Sequence, residues 1–260
     1  MKNLKTVLFI VIASSVIISC TPTKQLIVEK QKTISFALDN QEDGTNGSAI
    51  AFHPGKKLYY AVIAGNSEFP LEIFNSSGDF VLSTQAGVDC RGLWYNTTSK
   101  CLEANSYMNG VFKIKLADDG VPSGEIEEFI SGNTVPSENA CAEYDFKNNH
   151  LLYYHAGVLY KYNYADGSLV KEMGLDLPSS EYEINSTSFI YTGYKGLEIG
   201  LLNCQKNEIY FFDIKDGKFT ETLKLPSGIS PSCSFKFDFA NDYAFFYDVT
   251  TRTWTGMKIF

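Results

Sequence analysis

An aromatic residue ends a short apolar run at five places along the 260-residue chain, and a polar turn and a second apolar run follow it each time. Successive aromatic residues are 42, 50, 47 and 46 residues apart. Strand-type units that recur every ~40–50 residues are typical of the blades of a β-propeller. The recurrence therefore predicts this architecture. The five anchor residues are Phe52, Trp94, Tyr144, Tyr191 and Phe237.

Each unit has the sequence pattern of a four-stranded antiparallel meander. A large apolar residue stands eight positions after every anchor, beyond a turn-forming stretch, and a third apolar run follows it. In the first four units another turn and a fourth apolar run come next. Asp-Gly at three of these turns, residues 119–120, 166–167 and 216–217, is among the strongest hairpin signals. The residues at the eighth position are Tyr60, Leu102, Leu152, Ile199 and Phe245.

The number of blades follows from how the two ends of the chain fit together. The fifth unit stops after its third strand, at Phe260, and residues 26–38 before the first unit partly alternate between apolar and polar side chains. We expect residues 26–38 to form the outer strand of the last blade, which closes the ring and covers exposed edges. The predicted fold is all-β, with five four-stranded blades. A six-bladed propeller would need a sixth anchor, and a β-sandwich would not explain the regular spacing.

The N-terminal residues have the pattern of a secretory signal peptide. Lys2 and Lys5 precede an apolar stretch over residues 6–18. This stretch is shorter than the ~20 apolar residues that a membrane-spanning helix needs. A positive start followed by a short apolar segment is typical of a signal that is removed from the mature protein. We therefore assign residues 1–19 to a signal peptide.

The end of this signal and the next residue resemble the lipobox of bacterial lipoproteins, with the sequence Ile17-Ile18-Ser19-Cys20. The resemblance implies cleavage before Cys20 and a diacylglyceryl thioether on its sulfur. An ordinary secretory signal with a chance cysteine is the alternative. By the same resemblance, Thr21 in place of an aspartate favours the outer membrane and a domain that faces the periplasm. The predicted mature chain is a lipidated tether, residues 20–25, followed by a propeller domain, residues 26–260.

The charge and the cysteines exclude some classes of partner. Removal of the signal takes away two lysines and no acids, so 20 basic and 30 acidic residues leave a net charge of −10. This balance argues against nucleic acid, which requires clustered Lys and Arg. Cys90, Cys141 and Cys233 come three or four positions before an anchor, where inner strands crowd. We interpret them as small buried residues, with disulfides or ligands as the alternative. No CxxC occurs, and neither a metal nor a cofactor is predicted.

One polar set on the inner strands is the candidate site. It shares one parity relative to the anchors and therefore one face of the sheets, next to the central channel where propellers commonly bind ligands. An Arg, a Lys and carboxylates from three blades would suit a polar or anionic ligand. A salt-bridge network that lines the channel is the alternative interpretation. The predicted ligand-binding residues are Arg91, Glu143, Asp145, Lys236 and Asp238.

In repeat length and blade pattern the domain resembles bacterial propellers of the YVTN/TolB-like class. The resemblance implies a rigid scaffold whose loops bind a protein, a peptide or a glycan fragment. Two functions are then open. The first is a non-catalytic, membrane-anchored binding protein of the cell envelope. The alternative is an envelope hydrolase or lyase of lactonase-like type that uses the channel mouth. The sequence lacks an evident constellation of histidine and carboxylate residues, which favours binding over catalysis.

Overall fold

The protein is described from a computed structural model. The structure describes residues 25–27 (backbone only), 32–40, 44–65, 68–108, 110–132, 135–178, 188–229, 231–232 and 237–260. Within these ranges all regular secondary structure is β, in 21 strands. The same ranges contain no helix that is long and apolar enough to cross a bilayer.

The strands follow one another in five groups along the chain. Two strands precede the repeats, β1 (Gln25–Ile27) and β2 (Thr33–Ala37). Blade 1 contains β3 (Asn46–His53), β4 (Leu58–Ala64), β5 (Pro70–Asn75) and β6 (Phe80–Gln85). Blade 2 contains β7 (Cys90–Asn96), β8 (Cys101–Ser106), β9 (Val111–Leu116) and β10 (Pro122–Ile130). Blade 3 contains β11 (Glu143–Asp145), β12 (His150–His155), β13 (Val158–Asn163) and β14 (Leu169–Gly174). Blade 4 contains β15 (Phe189–Tyr191), β16 (Ile199–Asn203), β17 (Glu208–Phe212) and β18 (Phe219–Lys224). Blade 5 contains β19 (Phe237–Ala240), β20 (Tyr243–Asp248) and β21 (Thr253–Lys258).

Each blade is an antiparallel meander, and the five blades form a ring. Within a blade the strands pair in chain order, and the first strand of each blade is the innermost. The innermost strands β3, β7, β11, β15 and β19 lie side by side in that order, and β19 contacts β3. This arrangement confirms the predicted five-bladed propeller and rules out both the six-bladed ring and the sandwich.

The ring is closed by a strand from the N-terminal side, as predicted. Strand β2 pairs antiparallel with β21, from Thr33 opposite Met257 to Ala37 opposite Thr253, and so becomes the fourth strand of blade 5. The closing strand is shorter than residues 26–38, however. Strand β1 instead pairs parallel with β18 and adds a fifth strand to blade 4. Both pairings cover sheet edges that would otherwise be exposed.

The core consists of apolar layers between neighbouring blades. The described residues form five such clusters, one at each of the five interfaces around the ring. The small residues at the start of the inner strands behave as predicted, because Cys90 and Cys141 are both buried and free. Cys233 lies outside the described residues. Cys204 is disulfide-bonded, which the sequence did not indicate.

The length of the turn between the first and second strands explains why the anchor predicted for the fifth unit is wrong by two residues. In blades 1 to 3 these turns have four residues and are closed by the same bond, for example from the Lys57 N–H to the His53 carbonyl at 2.9 Å. Blade 5 has a two-residue turn, Asn241-Asp242, with φ of 54° and 67°, as expected for a type I′ hairpin. The shorter turn shifts the strand by two residues, so Phe239 takes the place predicted for Phe237.

Polar side chains form hydrogen bonds with backbone groups at the free edges of the innermost strands, also across blade boundaries. The Asn105 side-chain oxygen accepts the N–H groups of Gly92 and Ala142 at 2.9 and 2.8 Å, and its amide donates to the Ala140 carbonyl at 2.9 Å. Blades 2 and 3 approach closely here, because a Cβ atom added to Gly92 would lie 2.2 Å from the Ala142 carbonyl oxygen. Buried backbone groups need such partners, since an unpaired one costs free energy.

Candidate ligand-binding cavity on the propeller axis

A cavity of about 540 Å³ lies at the end of the ring where the innermost strands turn into the second strands. All five blades contribute to its wall, so it lies on the propeller axis. Its volume is within the range of small-molecule sites, which are mostly apolar with a few polar groups. The described lining residues include one acidic residue, Glu143, and no Lys or Arg.

Every blade contributes at least one aromatic ring to the wall. Four of the five repeat anchors line the cavity, namely Phe52, Trp94, Tyr144 and Tyr191, and Phe239 supplies the ring from blade 5. The rings of Trp94 and Tyr144 stack with their centroids 6.0 Å apart. The anchors are therefore both scaffold residues and cavity residues, whereas the sequence suggested only the first role.

The ring of Trp94 is held from behind by a buried carboxylate. Glu103 on β8 is fully buried and accepts a hydrogen bond from Trp94 Nε1 at 2.9 Å. Asn96 Nδ2, Ser99 Oγ and the Tyr164 hydroxyl also donate to it, at 3.1, 2.7 and 2.8 Å. Four donors satisfy this buried charge, which would otherwise be costly. The indole of Trp94 is thus fixed in the cavity wall.

Asp145 has a similar supporting role in blade 3. It is buried and accepts a hydrogen bond from the Tyr191 hydroxyl of blade 4 at 2.7 Å. It also accepts the backbone N–H groups of residues 147 and 148, and so caps the turn after β11. His53 and Asn96 cap the corresponding turns of blades 1 and 2 in the same way. Asp145 therefore positions a cavity ring and does not itself line the cavity.

Glu143 and Asp238 occupy the same place in blades 3 and 5. Each directly precedes the aromatic residue that is paired one step before the hairpin turn, Tyr144 or Phe239. Both carboxylates also cap a neighbouring inner strand. Asp238 accepts the Ile50 N–H of blade 1 at 2.5 Å and the Phe239 N–H at 2.6 Å. Glu143 accepts the N–H of residue 191 in blade 4.

These two carboxyl groups hold protons more tightly than carboxyls in water. Burial, and next the negative charge of Asp238, raise the pKa of Glu143 well above its usual value. Burial also raises the pKa of Asp238, to about 7, although the two N–H donors oppose the shift. Because hydrogen bonds to a carboxylate favour its ionised form, the better-bonded Asp238 carries the charge of the pair and Glu143 holds the proton. The accessible part of the Glu143 side chain opens onto the cavity.

The structure separates the five predicted ligand-binding residues. Glu143 lines the cavity, Asp238 is bonded to residues of its wall, and Asp145 supports Tyr191 from behind. Arg91 lies at the start of its strand, three residues before the cavity aromatic, and forms an ion pair of 2.9 Å with Asp89. Lys236 lies outside the described residues. Their roles in binding stay predictions.

The register of blade 2 explains the place of Arg91. The pairing of β7 with β8 shifts register between Cys90 and Gly92, at the position of Arg91. Its guanidinium lies 4.7 Å from the ring centroid of Tyr107, where a cation is attracted to the aromatic face. Shared parity along a strand places residues on one face only where no bulge intervenes.

Two residues of the site, one in the cavity wall and one behind it, were not identified from the sequence. Phe146 is 63% exposed at the cavity mouth and makes an edge contact with Tyr191, with ring centroids 6.1 Å apart. A turn position between polar residues was its only signal. Glu103 interrupts the apolar pattern of a central strand between buried Leu102 and Ala104. A carboxylate in such a place usually has buried donors, and this signal was available.

A metal centre of several side chains does not occur in the described part of the chain. There, no three His, Cys, Asp or Glu residues lie close enough together to bind an ion. The described lining of the cavity offers aromatic faces and the carboxyl group of Glu143.

Comparison with known proteins identifies the fold. The sequence matches no protein-family model and no curated protein. A glutaminyl cyclase from Myxococcus xanthus is similar in structure, with a TM-score of 0.59 and 12% identity over 90% of this chain and 97% of that chain. A chain of a nidogen/laminin complex gives 0.49 at 10% identity, over 82% and 76%. The propeller domain of Cps50 (Swd1) from Myceliophteria thermophila gives 0.44 at 8% identity, over 83% and 84%. Such low identities concern the fold alone, and the chain is a β-propeller protein.

The carboxyl pair predicts how stability depends on pH. In the unfolded chain both groups ionise at about pH 4, whereas in the folded protein the pKa of Glu143 lies well above its usual value and that of Asp238 is raised to about 7. Between these values the folded state binds more protons, so stability falls as pH rises. In Glu143→Gln the amide oxygen still accepts the N–H of residue 191 but the titrating group is gone. We expect its melting temperature relative to the wild type to increase from pH 4.5 to 7.5, by on the order of 2–4 °C per kcal/mol recovered.

Differential scanning fluorimetry at several pH values measures this difference. Glu172→Gln, which changes an exposed carboxylate on β14, is the matched control and should follow the wild type. A constant difference between Glu143→Gln and the wild type across this range would contradict the assignment of a raised pKa.

Proposed function

We propose that the protein is a membrane-anchored binding protein of the cell envelope whose ligand occupies the axial cavity. The observation that carries the proposal is a cavity lined by aromatic rings from all five blades, with two of them fixed by buried carboxylates. Rings that are held in place before the ligand arrives lose little entropy on binding. A volume of about 540 Å³ suits a small molecule or the end group of a peptide or glycan.

Two observations support the location at the envelope. The signal-like N-terminus resembles that of lipoproteins, with Cys20 as the lipidated residue. Cys204 is disulfide-bonded, and disulfides persist in oxidising compartments such as the periplasm. The proposal is an anchor in the outer membrane, with the propeller in the periplasm. Several acyl chains on one residue would hold the protein durably, at about 0.8 kcal/mol per buried methylene.

Phe146 tests the binding site without disturbing the core. Its ring is 63% exposed, so Phe146→Ala should leave the melting temperature nearly unchanged. Loss of a ring contact should weaken the binding of small aromatic probes by roughly 2- to 10-fold, from about 0.5–1.5 kcal/mol. Titration calorimetry of the detergent-solubilised full-length chain, with a cationic, a neutral and an anionic probe, measures the effect.

Phe80→Ala is the control, because Phe80 is 47% exposed on β6, the outer strand of blade 1. It should leave the affinity of every probe unchanged. If none of the three probes responds to Phe146→Ala, or if both variants weaken binding equally, the axial cavity is not the binding site.

Replacement of Cys20 tests the membrane anchor. In the natural host, Cys20→Ala should abolish the incorporation of labelled palmitate and should leave the signal uncleaved at this position. Gradient fractionation of the wild type should place the labelled protein in the outer membrane. Palmitate incorporation that persists in Cys20→Ala, or a wild type found only in the soluble fraction, would refute the anchor.

A second candidate, an envelope enzyme, has one observation in its favour. Glu143 carries a proton at an aromatic cavity, as a general acid–base group requires, and the Myxococcus xanthus protein of similar fold is a glutaminyl cyclase. In such a reaction an N-terminal amine attacks the side-chain carboxamide and ammonia leaves. Mass spectrometry of a peptide with N-terminal glutamine would detect the loss of ammonia. Turnover by the wild type but not by Glu143→Gln would select this candidate over pure binding.

A further inference from the structure

We propose that the axial cavity selects a ligand with an ammonium group, which faces Glu143 while apolar parts of the ligand contact the surrounding rings. The inference rests on the proposed function and adds the chemical class of the ligand. The sequence led us to expect a polar or anionic ligand, but Arg91, which would attract an anion, is not among the cavity residues.

The charges around the cavity favour a cation. Glu143 is the one acidic side chain among the described lining residues, and the negative charge of Asp238 acts on it. Arg91 is paired with Asp89 and stacked on Tyr107. Among the described residues, neither Lys nor Arg contributes to the shifted pKa of either carboxyl group. A pair with one shared proton therefore leaves a net negative charge in a region of low dielectric constant, where a cation gains most.

The two carboxyl groups differ in what they can offer a ligand. Both oxygens of Asp238 already accept backbone N–H groups, from Ile50 and Phe239. Glu143 accepts one backbone N–H group, from residue 191, and the rest of its carboxyl opens onto the cavity. A carboxylate has about four acceptor positions. Glu143 is therefore the group that can receive an ammonium donor, with Asp238 as a fixed negative charge behind it.

The aromatic rings add to the same preference. A ring face is negative and attracts a cation within about 6 Å of its centroid, most strongly at desolvated sites. Trp94, which gives the strongest such contact among aromatic residues, lines the cavity together with Phe52, Tyr144 and Tyr191. An ammonium group on an apolar ligand can therefore contact Glu143 and the ring faces at once.

Binding of a cation is coupled to release of the shared proton. Among the described residues, the titratable groups that act on Glu143 or lie beside it are Asp238 on β19, Tyr191 on β15 and Cys141. The pKa of Cys141 is in turn influenced by Arg91 on β7. At low pH the carboxyl pair holds the proton that the ammonium group of the ligand must displace. Affinity for an amine should therefore rise with pH as the pair loses this proton. A neutral ligand of the same shape should show no such rise.

Three probes of similar shape test the inference: 2-phenylethylamine, 2-phenylethanol and 3-phenylpropionate. Titration calorimetry of the full-length chain should give the highest affinity for the amine and an increase in its affinity from pH 5 to 8. Glu143→Gln should weaken amine binding by about 10- to 100-fold, the effect of losing a hydrogen bond to a charged group. The same variant should leave 2-phenylethanol binding within about twofold, which shows that the cavity is intact.

The outcomes separate this inference from the proposed function. If the alcohol or the propionate binds as tightly as the amine, and Phe146→Ala weakens that binding, the cavity is a binding site and the preference for a cation is wrong. If amine binding is insensitive to Glu143→Gln, the preference is also wrong. If no probe binds to the wild type at millimolar concentration, both the inference and the axial site are overturned.

Discussion

The structure depends on finding hydrogen-bond partners for the backbone N–H groups at the inner edge of the ring. The first strand of each blade has a free edge near the axis, where buried N–H groups lack a strand partner. At three places in the described part of the ring, a polar side chain of a neighbouring blade supplies the partner. Asn105 joins blades 2 and 3, Glu143 joins blades 3 and 4, and Asp238 joins blades 5 and 1. These bonds hold strands together across blade boundaries, where apolar packing alone would not fix their register.

The same bonds give the cavity its chemistry. Two carboxyl groups that cap strand edges are buried together next to the axis, so one of them retains a proton and the pair remains negative. Glu103 and Asp145 use their buried charge differently, because each holds a ring of the cavity wall through a hydrogen bond. The same residues therefore hold the strand edges and shape the cavity wall. We expect a substitution there to change both stability and binding, and Glu143→Gln keeps an acceptor for the strand edge while it removes the titrating group.

Sequence reasoning reached the fold because the relevant signal is local. A turn, an aromatic residue and an apolar run recur in every blade, and each blade folds by pairing with its own next strand. The closing strand β2 followed from counting the strands of the fifth unit. The site was less accessible, because it depends on register. A two-residue turn moved Phe239 into the place expected for Phe237, and a bulge set Arg91 apart from the other predicted residues. Neither a turn length nor a bulge was evident from the spacing of anchors.

A ligand-bound crystal structure tests the central claim, that the axial cavity is a binding site with the carboxyl group of Glu143 in its wall. The bromine of 2-(4-bromophenyl)ethylamine scatters anomalously, so its position is identified independently of the ligand model. We predict one bromine peak on the propeller axis, among Phe52, Trp94 and Tyr144, with the amine nitrogen within hydrogen-bonding distance of the Glu143 carboxylate. A bromine peak on the outer strands or between blades, with an empty axial cavity, would contradict the account.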